Sequence, residues 1–250
     1  MKQDRIEIII SGIGGQGVVY SANLLSRAAL YQHKFSSSIA HYGPESRGSV
    51  TTSEVVISNL TTPLIPLNKG GIKGGYFPLT KGGGGGSYSP LTKGEGGGSY
   101  SPLTKGEGGC LDYPCVESPD IFIAMHQKGY DYHITSHKMD VSNLKYLIYD
   151  STIVNCEAAA ESRLFRGELH IRFAQCKRIA NCEFIALPAS QLAKEKLKNI
   201  MMANIILTAA LVKTTGIITR KNLERTLKEI VPPKDYQLNL QAIELGYLAV

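Results

Sequence analysis

The residues whose types and spacing best suit chemistry lie near the N-terminus. Gly12, Gly14 and Gly17 fall into a G-x-G-x-x-G pattern completed by Ile13, Gly15 and Gln16. The pattern follows a strand-like run and opens a helix-like one, which is the context it requires. Glycines in such a turn let backbone N–H groups approach an anion, and the start of the helix adds a partial positive charge. A phosphate-bearing ligand is the first expectation. An enzyme that binds a dinucleotide also places an acidic residue about twenty positions on, at the end of the second strand, to hold the ribose hydroxyls. From Ile8 through Pro44 there is no Asp or Glu, and the expected place reads Phe35-Ser36-Ser37-Ser38. An NAD-dependent dehydrogenase is therefore disfavoured, and an NADP form using Arg27 or Lys34 fares little better.

A second polar loop, His41-Tyr42-Gly43-Pro44-Glu45-Ser46-Arg47-Gly48, lies between two strand-like runs. Pro44 and the two glycines fix a turn, Arg47 offers a rigid fork for a carboxylate or phosphate, and Glu45 could hold that fork in place. An internal Glu45 and Arg47 pair that only orders the loop competes with ligand contact. His41 is an acid or base by type, although a lone histidine without a visible partner is more often structural. Further on, Asp150-Ser151-Thr152 follows the strand-like Tyr146 to Tyr149, at a carboxyl edge where open α/β sheets place ligands. A turn or helix cap explains Asp150 equally well.

The elements that must position these loops alternate. Strands are expected at Arg5 to Ser11, Ser36 to His41, Val50 to Ser58, Asp120 to Met125, Lys145 to Asp150 and Asn181 to Leu187. Gln16 to Tyr31 carries Val18, Ala22, Leu25 and Ala29 at helical spacing. The combination predicts an α/β fold, Rossmann-like, with a mostly parallel sheet, flanking helices and a helical C-terminal part. In that part, Asn199 to Val212 is apolar nearly all round but too short to span a bilayer, and Leu223, Leu227 and Ile230 mark an amphipathic helix that stops at Pro232-Pro233. Asn204 would sit in apolar surroundings and need a partner, either as a satisfied core amide or at a subunit contact.

One stretch interrupts this pattern. Pro-Leu-x-Lys-Gly recurs at Pro66, Pro78, Pro90 and Pro102, with Tyr76, Tyr88 and Tyr100 in the same period of twelve. Each copy has too little apolar surface to offset the entropy of ordering it, so residues 59–111 are expected to be a disordered, low-complexity insert within a single domain formed by residues 1–58 and 112–250. Loop-closure entropy grows only logarithmically, so the split costs about 1 to 2 kcal/mol beyond a short turn.

Composition excludes several classes. The chain of 250 residues has a net charge of +6, but half of it comes from five lysines and two glutamates between Leu60 and Cys110. The remainder is ordinary for a protein with no nucleic-acid partner. No run is long and apolar enough for a membrane span and no cleavable signal is visible, so a cytoplasmic protein is expected. The five cysteines lack metal-site or cluster spacing, which predicts reduced thiols and no metal.

The loops Ser11-Gly12-Ile13-Gly14-Gly15-Gln16-Gly17-Val18 and His41 to Gly48 together resemble the two signature loops of the γ subunit of 2-oxoacid:ferredoxin oxidoreductases. The resemblance continues through Tyr113-Pro114, Gln127-Lys128-Gly129-Tyr130-Asp131, Leu147 to Ser151, Pro188-Ala189 to Asn204, and Asn239-Leu240-Gln241-Ala242. The form of the second loop and the Tyr113-Pro114 step are most similar to the 2-oxoglutarate type, with pyruvate, branched-chain and indolepyruvate enzymes as relatives. Ser49 stands where the family often has a second glycine. The resemblance implies a subunit, inactive alone, of a complex that converts a 2-oxoacid and coenzyme A to an acyl-coenzyme A and carbon dioxide, passing electrons to ferredoxin. It implies α and β partners, and a δ partner, with thiamine diphosphate between α and β and iron–sulfur clusters on β or δ. It assigns this chain no catalytic residue and no bound cofactor of its own. Its candidate site residues are Gly12, Gly14, Gly15, Gln16, Gly17, Tyr42, Gly43, Pro44, Glu45 and Arg47, which would shape the approach of coenzyme A. A free-standing nucleotide-binding oxidoreductase and a non-enzymatic scaffold are the alternatives.

Overall fold

A computed structural model describes residues 5–43, 48–61, 116, 118–136, 138–156 and 182–250. The expected disordered insert at 59–111 lies almost entirely outside the described residues. Six strands form one sheet: β1 (Arg5–Ile13), β2 (Lys34–Tyr42), β3 (Val50–Thr61), β4 (Ile121–Ala124), β5 (Tyr146–Asp150) and β6 (Glu183–Leu187). Each overlaps an expected strand, including the serine-rich β2.

The sheet order is β2-β3-β1-β4-β5-β6. β1 pairs in parallel with β4, β4 with β5 and β5 with β6, whereas β3 runs antiparallel to both β1 and β2. The sheet is thus mixed though mostly parallel, as expected, with β3 the one strand that runs against the others. The reason is the length of the connection. β2 ends at Tyr42 and β3 starts at Val50, and a parallel partner would need a crossover of about a dozen residues or more. The chain instead turns back as a hairpin and places β3 between β1 and β2.

Alternation along the strands builds two cores. Ile8 and Ile10 of β1, Ile121 and Ile123 of β4 and Ile148 of β5 face one side, where helix α1 (Val18–Leu30) and the C-terminal helices cover them. Ile9, Phe122, Ala124, Leu147 and Tyr149 face the other, under α2 (Gln127–Tyr130), the π-helical turn Asp131–Thr135 and the loop carrying Met139, Val141 and Leu144. Because both faces are covered, the central strands are apolar on both.

Four more helices follow β6: α3 (Ala189–Lys196), α4 (Ala203–Thr215), α5 (Arg220–Ile230) and α6 (Pro233–Leu248). Residues Asn204 to Val212 of α4 are all buried, which accounts for its apolar circumference. α6 crosses it closely: a Cβ on Gly246 would run into the Ile206 carbonyl and lie 2.7 Å from the Ala209 Cβ. Pro232-Pro233 separates α5 from α6. Pro233 occupies the first turn of α6, where its missing N–H is no loss.

Candidate functional site

At the carboxyl end of β1 the chain turns through Gly14 to Gly17 into α1. Gly15 (φ 94°) and Gly17 (φ 77°) take left-handed backbone angles that other residues adopt only with strain. Gly12 is needed for room as well, since a Cβ there would lie 2.7 Å from Gln16 Oε1. The α1 N-terminus has no side-chain cap and no acidic residue in its first turn. Its partial positive charge is therefore available to an anion.

Gln16 is turned into the fold. Ile13 N donates to its Oε1 at 2.9 Å, and its Nε2 donates to the Met125 carbonyl at 3.3 Å, joining the ends of β1 and β4. Asn204, buried at the start of α4, donates from Nδ2 to the Gly17 carbonyl at 3.4 Å, while its Oδ1 accepts from Ile205 N. The apolar surroundings foreseen for Asn204 thus come with internal partners, and a side chain at Gly17 would strike its amide.

The second loop lies against the first. Gly14 N donates to the Ser49 carbonyl at 3.3 Å, and Gly43 N donates to the Val50 carbonyl at 3.0 Å to close the hairpin. Lys128 Nζ donates to the Gly48 carbonyl at 3.2 Å from the short α2, and Gly48 is itself left-handed (φ 70°). Gly129 lets α2 press onto β1, for a Cβ there would stand 2.9 Å from Gly12 N. Tyr42 is 70% exposed at the tip of β2. Pro44, Glu45 and Arg47 lie outside the described residues. The remaining site candidates, Gly12 to Gly17, Tyr42 and Gly43, gather at one edge of the sheet.

Below the glycine turn is a polar chain with no counterpart in the sequence reading. Thr52 Oγ1 lies 2.9 Å from His133 Nε2 and 3.1 Å from Ser11 Oγ, all three groups buried. Burial, helped by the charge of Lys138 and then His41, pushes the His133 pKa down to about 4, so its imidazole is neutral at neutral pH. His41 has a partner after all: its Nε2 lies 3.3 Å from Glu54 Oε1. Asp150 is buried and caps α3, accepting from Ser190 N at 2.9 Å and from the Ser190 hydroxyl, with Thr152 N bonded to its other oxygen at 3.1 Å. Gln16, Met125, Asp150, Ser190 and Asn204 line a cleft at these strand ends, whose rim carries the exposed Ile200 and Met201.

The cleft sits where the order of strands turns: α1 carries the chain from β1 to one side of the sheet, and β4 lies on the other. Open α/β folds bind ligands at such a point. Residues 7–69 and 91–249 match the family model described as pyruvate ferredoxin/flavodoxin oxidoreductase. The chain belongs to this family, as a γ-type subunit. It is 25% identical to the 2-oxoglutarate synthase subunit KorC of Methanocaldococcus jannaschii, over 97% of this chain and 92% of that one. With the subunit of the same name from Methanothermobacter thermautotrophicus the identity is 27%, over 98% and 95%. Among solved structures, the γ subunit of a keto/oxoacid ferredoxin oxidoreductase from Geobacter sulfurreducens is similar in fold, with a TM-score of 0.58 at 21% identity over 98% of this chain and 97% of that one. The 2-oxoglutarate:ferredoxin oxidoreductase of Magnetococcus marinus, solved with 2-oxoglutarate, coenzyme A and succinyl-CoA bound, aligns with a TM-score of 0.59 at 15% identity, over 99% of this chain and 31% of that one.

In this γ chain no described group of three or more His, Cys, Asp or Glu side chains could hold a metal ion. Of its thiols, Cys156 and Cys182 are described, and Cys156 Sγ lies 3.5 Å from Tyr130 Oη. Burial pushes Cys182 up to about 12, which makes it a poor nucleophile and a poor ligand. No helix among the described residues is long and apolar enough to cross a membrane. This edge of the sheet thus brings together the uncapped start of α1, the glycine turn, the Gly48 and Ser49 backbone and Lys128.

Proposed function

We propose that this γ chain serves a complex that oxidatively decarboxylates 2-oxoglutarate with coenzyme A, giving an acyl-coenzyme A and carbon dioxide and passing the electrons to ferredoxin. Thiamine diphosphate and the iron–sulfur clusters belong to its α, β and δ partners. This chain shapes the approach of coenzyme A with Gly12 to Gly17, Tyr42 and Gly43, together with Pro44, Glu45 and Arg47. The observation that carries the reading is the bond from Gly14 N to the Ser49 carbonyl, which makes the two loops one surface beside the uncapped start of α1. The names of the relatives support 2-oxoglutarate over pyruvate as the oxoacid.

The test is the complex purified through this chain under anaerobic, low-salt conditions. Two or three partner subunits should copurify and reduce a viologen dye with 2-oxoglutarate and coenzyme A faster than with pyruvate. Arg47→Ala should raise the KM for coenzyme A about tenfold or more, the loss expected of one charged hydrogen bond, and leave the KM for 2-oxoglutarate unchanged. A chain that purifies alone and binds NADH tightly would sink the proposal.

A further inference from the structure

Gln16 stands among the residues expected to touch the ligand, yet both ends of its amide are engaged within the fold. Oε1 accepts from Ile13 N in its own turn, and Nε2 donates to the Met125 carbonyl at the end of β4. The turn is shaped around this side chain, because a Cβ at Gly12 would lie 2.7 Å from Gln16 Oε1 and 3.1 Å from the Met125 Cβ. Gln16 also lines the cleft between these strand ends. Each of these bonds satisfies a backbone group that loss of the amide would leave unpaired.

We infer that Gln16 is a positioning residue: it pins the glycine turn to the end of β4, so sets where the α1 N-terminus and the Gly14 to Ser49 junction stand, and acts on coenzyme A through that turn. This rests on the proposed role of the two loops. Three features agree with it. The amide needs both its donor and its acceptor, which Glu or Leu would not supply. The turn it holds contains Gly15 and Gly17, which lack a Cβ and so let the backbone shift once unpinned. The turn is held at a second point by Asn204 through the Gly17 carbonyl, so loss of Gln16 need not unfold it.

The experiment uses the purified complex carrying Gln16→Ala, Gln16→Glu, Gly15→Ala or the double variant of Gln16→Ala with Gly15→Ala. Expected are a rise of about tenfold in the KM for coenzyme A for Gln16→Ala, and a kcat at saturating coenzyme A and a KM for 2-oxoglutarate both within about twofold of wild type. Gln16→Glu keeps the acceptor for Ile13 N, loses the donor to Met125 and adds a negative charge, so it should be at least as poor toward coenzyme A. Because both residues act through one turn, the double variant should be no worse than its poorer single parent by more than about twofold. Effects that multiply instead would indicate an independent ligand contact and overturn the inference, as would an unchanged KM for coenzyme A. A fall in kcat with a matching rise in the KM for 2-oxoglutarate, or failure of both Gln16 variants to assemble, would assign the residue a general structural role and overturn it as well. If Arg47→Ala raises the KM while Gln16→Ala does not, only this inference fails. If neither does, the coenzyme A role of the loops fails first.

Discussion

The two faces of the sheet are built on different terms. Under α1 and the C-terminal helices the core is larger and mostly hydrocarbon, with Leu24, Leu25, Ile206, Leu211 and Leu223 all fully buried. Under α2 and the π-helical turn the core is smaller, and at its glycine-turn end it changes to the hydroxyls of Ser11 and Thr52 and the imidazole of His133. Apolar packing tolerates small shifts, whereas hydrogen bonds fix a geometry. The lesson is a division of labour, in which the helical face supplies most of the stability and the other fixes the floor on which the glycine turn rests.

The sharpest way to break this comparison is on the helical face. Leu24→Ala should lower stability by about 2–5 kcal/mol, the range for a truncated buried leucine. Urea unfolding of the full chain measures it, and the KM for coenzyme A of the assembled complex should not move. Acid should act on the opposite face. The unfolded His133 titrates near 6.5 and the folded one at about 4, so unfolding takes up a proton between these values. Stability is therefore complete above about 6.5 and falls as the pH drops toward 4, by up to about 3 kcal/mol. In His133→Gln, stability measured over this window should lose most of that slope; an unaltered curve would show that other groups cause it. The smallest effect is predicted for Thr52→Val, which keeps the shape but leaves His133 and Ser11 without their common partner, at about 1–3 kcal/mol by thermal or urea unfolding. If that variant proves as stable as wild type, the hydroxyl chain is incidental and the two faces differ less than described.

Much of this was legible in the sequence, and the rest has an identifiable reason. The strands showed because Ile8 to Ile10, Val55 to Ile57 and Ile121 to Ile123 are unbroken apolar runs, and the glycine turn showed because its spacing is dictated by backbone angles. The direction of β3 did not show, because alternation carries no polarity, although the short connection between Tyr42 and Val50 contained the clue. The site's supports were hidden for another reason. Thr52 meets His133 across 81 residues, Asp150 meets Ser190 across 40 and Asn204 meets Gly17 across 187. Such pairs are made by topology and leave no local pattern. The cap that Asp150 supplies belongs to a helix that begins beyond β6, and the partner of His41, Glu54, lies on the neighbouring strand, so neither shows in the local sequence.

The reversed strand explains an absence. In a dinucleotide fold the second strand lies beside the first, about 4.8 Å away, so an acid at its tip reaches the ribose of a ligand whose phosphates rest on the glycine turn. Here β3 occupies that place, and the tip of β2 stands about 10 Å from β1, two strand spacings. An aspartate grafted among Ser36, Ser37 and Ser38 would therefore be out of reach, and no single acidic substitution on β2 would convert this chain into a dehydrogenase. Beside the glycine turn stands the return of a hairpin instead, with the Ser49 carbonyl bonded to Gly14 N.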